Sequence, residues 1–155
     1  MGSISDLDIM RKAKDVLGEL GVPCEVTVAS AHRTPDRVHE YATSARERGI
    51  EVLIAGAGWA AHLAGVLAAL TELPIIAVPI SSSPFQGLDA LLASVQMPPG
   101  VPVAVMAVDG ARNAGIFAAQ ILALKDDAIR DRLLAFRERQ SEQVFAKAKE
   151  LDLNS

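Results

Sequence analysis

The chain carries one cysteine, few aromatic residues and no cluster of basic side chains. A single thiol excludes an internal disulfide framework, and an unpaired cysteine fits a reducing cytoplasm. Cys24 stands in an expected strand and reads as a small buried core residue. Aromatic residues make up 4% of the sequence while alanine is abundant, so the helices are expected to pack closely on a sheet and on neighbouring subunits. A net charge of −4 with no basic run argues against nucleic acid as a partner. The start lacks the basic residues and apolar core of a signal peptide. No charged side chain occurs from Val52 to Thr71, a length that raises the question of a membrane span. Gly56, Gly58, His62 and Gly65 argue against one, and a strand, turn and buried helix explain the same run.

What is present is a repeated grammar of strand, small-residue turn and helix. The 155 residues, 50% of them hydrophobic, are expected to form a single domain over 1–155 with a full core. Gly2-Ser3-Ile4-Ser5-Asp6 precedes an amphipathic run from Leu7 to Leu20. Pro23 to Ala29 shows the alternation of a strand and leads into Ser30-Ala31-His32-Arg33-Thr34-Pro35-Asp36, where a capping threonine and a first-turn proline open a helix. Glu51 to Ala55 reads as the next strand, with a glycine-rich turn to His62 and a helix from Leu63 to Leu70. Pro74 to Ile80 gives way to Ser81-Ser82-Ser83-Pro84 and then a helix from Leu88 to Val95. The last strand, Val101 to Val108, meets Asp109-Gly110 and a helix to about Leu124. Charges of both signs then accompany apolar residues at helical spacing, which predicts an extended C-terminal helix over about 126–152 that packs on its own sheet or on a neighbour. Strands alternating with helices at this spacing define a parallel α/β sheet covered on both faces.

His32 and Arg33 fall where such a sheet opens into a crevice. Histidine is the side chain suited to giving and taking a proton at neutral pH, which makes His32 the candidate for proton transfer. Ser3, Ser5 and Asp6 lie at a helix start, where simple capping competes with a cradle for phosphate and ribose; Arg33 from the adjacent turn favours the cradle. Gly56-Ala57-Gly58-Trp59-Ala60-Ala61 matches the G-x-G-x-x-A fingerprint, but the following strand ends in serines with no acidic residue for a ribose, so a dinucleotide is disfavoured. His39 falls on the exposed side of its helix, and His62 is either a structural histidine or a ligand contact. The histidines lack metal-ligand spacing, and no metal site is expected. No nucleophile elbow surrounds Ser81, Ser82 or Ser83. The residues thus describe a flavodoxin-like three-layer αβα sandwich that binds a small phosphorylated molecule beside a histidine.

Several of these runs together resemble the bacterial-type AIR carboxylase family: GSISD at 2–6, SAHRTPD at 30–36, AGAGWAAHLAG at 55–65, GLDALLASVQMPPGVPV at 87–103 and GARNAGIFAAQILAL at 110–124. The resemblance implies a rearrangement that moves a carboxyl group from the exocyclic nitrogen of an imidazole ribonucleotide to ring carbon 4, a step of purine synthesis, without cofactor or metal. His32 matches the catalytic histidine. Ser3, Ser5, Asp6, Ser30, Ala31 and Arg33 match substrate-binding positions, while Gly58, His62 and Leu63 would line a pocket that retains carbon dioxide. The resemblance also implies a cytoplasmic homo-octamer with sites between subunits, so that His62 serves its own pocket or a neighbour's. The arginine of SAHRTP, as in the family's mutase branch, favours the rearrangement; a carbon dioxide-dependent carboxylase or a related ribonucleotide decarboxylase stays as the alternative, beside a catalytically silent nucleotide-binding module. Three departures stand out. Trp59 replaces a small or aliphatic residue, Ala64 replaces a common proline, and the hydrophobic strand that precedes GSxSD in the family is lacking, so the sheet is expected with its first strand missing or truncated.

Overall fold

The computed structural model describes residues 1–152. Its ordered elements are a short 3₁₀ turn Ile4–Asp6, α1 (Leu7–Glu19), α2 (Pro35–Ser44), β1 (Leu53–Gly58), α3 (Leu63–Leu70), β2 (Ile75–Ile80), α4 (Leu88–Val95), β3 (Ala104–Val105), α5 (Ala111–Leu122) and α6 (Asp127–Asp152). The strands form a parallel sheet in the order β1-β2-β3, with Leu53 opposite Ile75 and Ile76 opposite Ala104. Every residue of β2 is buried, as a strand covered on both faces must be.

Alternation along the strands sorts two cores. Ile76 and Val78 face α1, α5 and the first turns of α6, where Val16, Leu20, Ala118, Ile129, Leu133 and Phe136 are buried. Leu53, Ala55, Ile75 and Ala77 face α2 and α3, among Val38, Ala42, Leu63 and Leu67. The alanines permit close helix approach. At Gly115, an added Cβ would lie 2.5 Å from Val16 Cγ1 and 2.9 Å from the Ala13 carbonyl, so α1 and α5 meet almost backbone to backbone. Beyond Phe136 the long α6 leaves the body, and Val144 and Phe145 are exposed.

The helix expectations agree closely with these boundaries, and α3 and α4 begin and end at the expected residues. Two strands do not. The run Pro23–Ala29 does not form a strand, and Val26 is 50% exposed. Its neighbour is a single residue: the Met1 ammonium donates to the Thr27 carbonyl at 3.0 Å, and the Ala29 N–H donates to the Met1 carbonyl at 2.9 Å. Gly2 N–H then donates to the Gly56 carbonyl at 3.0 Å, so Met1 and Gly2 bridge this run to β1. Further down, a cavity of about 610 Å³ separates residues 22–27 from residues 51–54. A ladder needs a partner along its length, and here there is one rung. The same opening corrects the reading of Cys24, which is exposed rather than buried. The stretch from Val101 to Val108 likewise forms regular strand over Ala104–Val105 alone, although the Met106 N–H also donates to the Ala77 carbonyl of β2 at 2.9 Å.

Candidate active site

Four chain segments converge at the carboxyl end of the sheet, the usual ligand edge of an open parallel fold. The first is the start of α1. Ser3 caps the 3₁₀ turn, its hydroxyl accepting from Ser5 N–H at 3.3 Å, while Ser3 N–H donates to Asp6 Oδ2 at 3.1 Å. The Ser5 hydroxyl donates to Ser3 Oγ at 2.8 Å and to Asp6 Oδ1 at 3.3 Å. Asp6 is buried, and burial raises its carboxyl above the ordinary aspartate range, opposed by the Ser3 and Ser5 donors and by the charges of the Met1 ammonium and Arg33.

The second segment is the turn into α2. Thr34 N–H donates to the Ser30 carbonyl at 2.9 Å and Ser30 N–H to Thr34 Oγ1 at 2.8 Å, which locks the bend before Pro35 fixes the first helical turn. Arg33 leans back across the gap: Nη2 donates to the Gly2 carbonyl at 3.1 Å and Nε to Ser30 Oγ at 3.3 Å. The guanidinium therefore stands beside the hydroxyls of the first segment.

The third segment leaves β1. Trp59 takes a left-handed backbone with φ of +55°, and His62 N–H donates to the Ala60 carbonyl at 2.8 Å, so the chain folds sharply into α3. This turn delivers His62 to His32. The two imidazoles lie 2.9 Å apart between His32 Nε2 and His62 Nδ1, with ring centroids 4.9 Å apart and planes at 73°. At that distance one ring nitrogen donates to the other, so the contact ties the tautomer of each ring to that of its neighbour. The fourth segment is the loop after β2, which contributes Ser82.

Together these segments line an open pocket of about 580 Å³. Its walls include each residue expected from the sequence: Ser3, Ser5, Asp6, Ser30, Ala31, His32, Arg33, Gly58, His62 and Leu63. His62 meets His32 of its own chain. Gly2, Ala57, Trp59, Ala60 and Ser82 also line it. From the sequence, Ser81 to Ser83 read as a loop of hydrogen-bonding groups, and the structure brings Ser82 of that loop to the pocket. Its proximity follows from sheet order, because the turns after adjacent parallel strands β1 and β2 lie side by side; a Cβ on Gly58 would fall 2.0 Å from Ser82 Oγ. Ala64 does not reach the pocket and is buried with the α2 and α3 core. His39 is exposed on α2, as expected. The described residues hold no cluster of three or more potential metal ligands and no helix long and apolar enough to cross a membrane.

Hydroxyls, a guanidinium and paired imidazoles lining one pocket make a site suited to an anionic small molecule that undergoes proton transfer. The comparisons narrow that class. The family model for AIR carboxylase matches residues 1–143. N5-carboxyaminoimidazole ribonucleotide mutase from Thermotoga maritima is 53% identical over 152 residues, covering 98% of this chain and 89% of that protein. The protein of the same name from Mycobacterium tuberculosis is 50% identical over 151 residues, covering 97% and 87%. The crystal structure of Treponema denticola PurE superposes with a TM-score of 0.86 at 27% identity, over 97% of this chain and 94% of that one. The chain belongs to the AIR carboxylase family.

Proposed function

We propose that this protein is the mutase that converts 5-(carboxyamino)imidazole ribonucleotide to 4-carboxy-5-aminoimidazole ribonucleotide in purine synthesis. The observation that carries the reading is the meeting of an anion cradle and the His32–His62 pair in one pocket of the family's fold. In the proposed sequence the carbon–nitrogen bond of the carbamate breaks, carbon dioxide leaves, and the bonding electrons stay on the exocyclic nitrogen, which takes a proton from His32. Ring carbon 4 then attacks the retained carbon dioxide. The new carbon–carbon bond forms as His32 removes the carbon 4 proton, returning the histidine to its starting state. His62, in contact with His32, holds its partner's ring and shares its proton between the two halves of the cycle.

Arg33, Ser3 and Ser5 take the phosphate in this reading, and Asp6 accepts from the ribose hydroxyls. Ser30, Ala31, Gly58 and Leu63 shape the walls. Released carbon dioxide needs a closed space, since it carries no charge by which to be held. In the isolated chain His32, His62 and Trp59 are exposed, so the pocket is open on one side. Exposed Phe85, Leu88, Leu92 and Val95 form an apolar edge on α4 and the loop before it, a face suited to burial against another copy. We therefore read the working form as a homo-oligomer, an octamer by family resemblance, of one domain per chain, acting in the cytoplasm without cofactor.

The test is an absorbance assay with both imidazole ribonucleotides. The expected result is interconversion of the carboxyamino and carboxy isomers without bicarbonate. A strict requirement for aminoimidazole ribonucleotide and bicarbonate would instead establish a carbon dioxide-dependent carboxylase, and binding without turnover a silent module. His32→Asn should abolish turnover and keep binding. Arg33→Ala should weaken binding by roughly 10- to 100-fold, the worth of a charge-assisted hydrogen bond of about 1.5–3 kcal/mol.

A further inference from the structure

Ser82 reaches the pocket from a loop that is tied down at both ends. At the far end the buried Ser83 hydroxyl donates to Asp89 Oδ1 at 2.8 Å and accepts from Phe85 N–H at 3.2 Å. At the near end the tie comes from another strand exit altogether. Asp109, just beyond β3, accepts from Ser81 N–H at 3.0 Å through Oδ1 and from the Ser81 hydroxyl at 2.5 Å through Oδ2. Its own N–H donates to the Pro79 carbonyl at 2.8 Å, so both its backbone and its side chain grip the end of β2.

This grip carries a conformational cost. Asp109 has φ of +57°, in the left-handed region where glycine is the unstrained choice. Glycine there would satisfy the backbone and lose the carboxylate. We propose that Asp109 is a positioning residue for the reaction: its carboxylate holds Ser81 so that the next residue, Ser82, presents its hydroxyl to bound substrate beside Gly58. The absent Cβ of Gly58 leaves the space that Ser82 Oγ occupies, which makes the serine's placement exact. The part of this inference that concerns substrate rests on the reading given under Proposed function; the part that concerns the loop does not.

The two backbone demands and the side-chain demand separate under substitution. Asp109→Gly suits the left-handed backbone and removes both acceptors, whereas Asp109→Asn keeps an acceptor for Ser81 N–H and tolerates the same backbone. The experiment measures KM and kcat for 5-(carboxyamino)imidazole ribonucleotide, and amide hydrogen exchange across residues 81–86, in the parent protein, in both Asp109 variants, in Ser82→Ala and in the double variant Ser82→Ala with Asp109→Gly. Expected are a KM raised roughly fivefold to tenfold in Asp109→Gly, the worth of one hydrogen bond to substrate, with kcat changed less than about twofold. Ser82→Ala should match it, the double variant should be no worse than either, and Asp109→Asn should restore KM to near the parent value. Exchange should quicken at 81–86 in Asp109→Gly and not in Asp109→Asn. A purely conformational role would make glycine as good as aspartate in KM and exchange, and that result overturns the inference. Additive effects of Ser82→Ala and Asp109→Gly would overturn it equally. If the parent turns over neither ribonucleotide, the functional reading fails while the exchange experiment still decides whether Asp109 holds the loop.

Discussion

Replacing Trp59 by glycine should leave thermal stability nearly unchanged, although tryptophan is the largest side chain in the protein. The residue is 59% exposed, so only about two-fifths of a surface of roughly 250 Å² is covered. Discounting for cover in the unfolded chain, burial of about 60–90 Å² at about 25 cal/mol per Å² is worth roughly 1.5–2 kcal/mol. Against this stands a φ of +55°, a left-handed backbone that costs a residue with a Cβ about 1–2 kcal/mol and glycine nothing. The terms cancel to within about 1 kcal/mol, a shift in melting temperature of no more than about 4 °C for a chain of this size. Differential scanning calorimetry reads it directly. A loss of about 3–5 kcal/mol, the usual cost of deleting a buried aromatic ring, would refute the argument and locate the indole between subunits. In the parent, the sole tryptophan lines the pocket and should change its fluorescence when 5-(carboxyamino)imidazole ribonucleotide binds.

Other perturbations probe the layers beneath. Gly115→Ala should destabilise by about 1–2 kcal/mol, because the new methyl meets the Ala13 carbonyl 2.9 Å away and backbone cannot swing aside; urea denaturation showing a gain from helix propensity would contradict the close approach of α1 and α5. Phe136→Ala should cost about 3–5 kcal/mol by the same method, since the ring is buried and also supports Arg112 and Arg139 over its face at 5.6 and 5.9 Å; a loss below about 1 kcal/mol would mean that α6 is not anchored there. Asp6 has a carboxyl raised by burial, so the folded state holds its proton more tightly than the unfolded one, and ionising it weakens the fold. Stability relative to Asp6→Asn should therefore fall as pH climbs from 3.8 through the raised value and then level; a parent that gains on the variant over that interval would reverse the assignment.

The helices were legible because a helix is a local object. Leu63–Leu70 and Leu88–Val95 need only their own spacing and flanking turns to be found. A strand is a relation between two segments, and Pro23–Ala29 has the alternation of one while Met1 alone lies beside it in the ladder. Cys24 followed that error, since its burial depended on the missing contact. In the site, His32 and Arg33 stood out because their chemistry is concentrated in one short run. The His32–His62 contact crosses 30 positions and depends on the bend at Trp59, whose left-handed backbone no propensity announces. Ser82 was missed for a similar reason. Its role hangs on an empty space at Gly58 and on a carboxylate 27 residues further along, and neither is visible in the serines themselves.

The pocket draws its walls from both sides of the sheet. Ser3, Ser5 and Asp6 belong to the start of α1, which packs on one face, while Ser30 to Arg33 lead into α2, which packs on the other. A molecule gripped by both sets acts as a clasp across the seam, and whatever energy it gives to binding must be repaid before the layers can part. Any local opening at this edge must part the two sets of contacts, so bound ligand opposes it. Purified protein should then resist protease longer with the ribonucleotide bound than without it, the protection coming from the pocket alone.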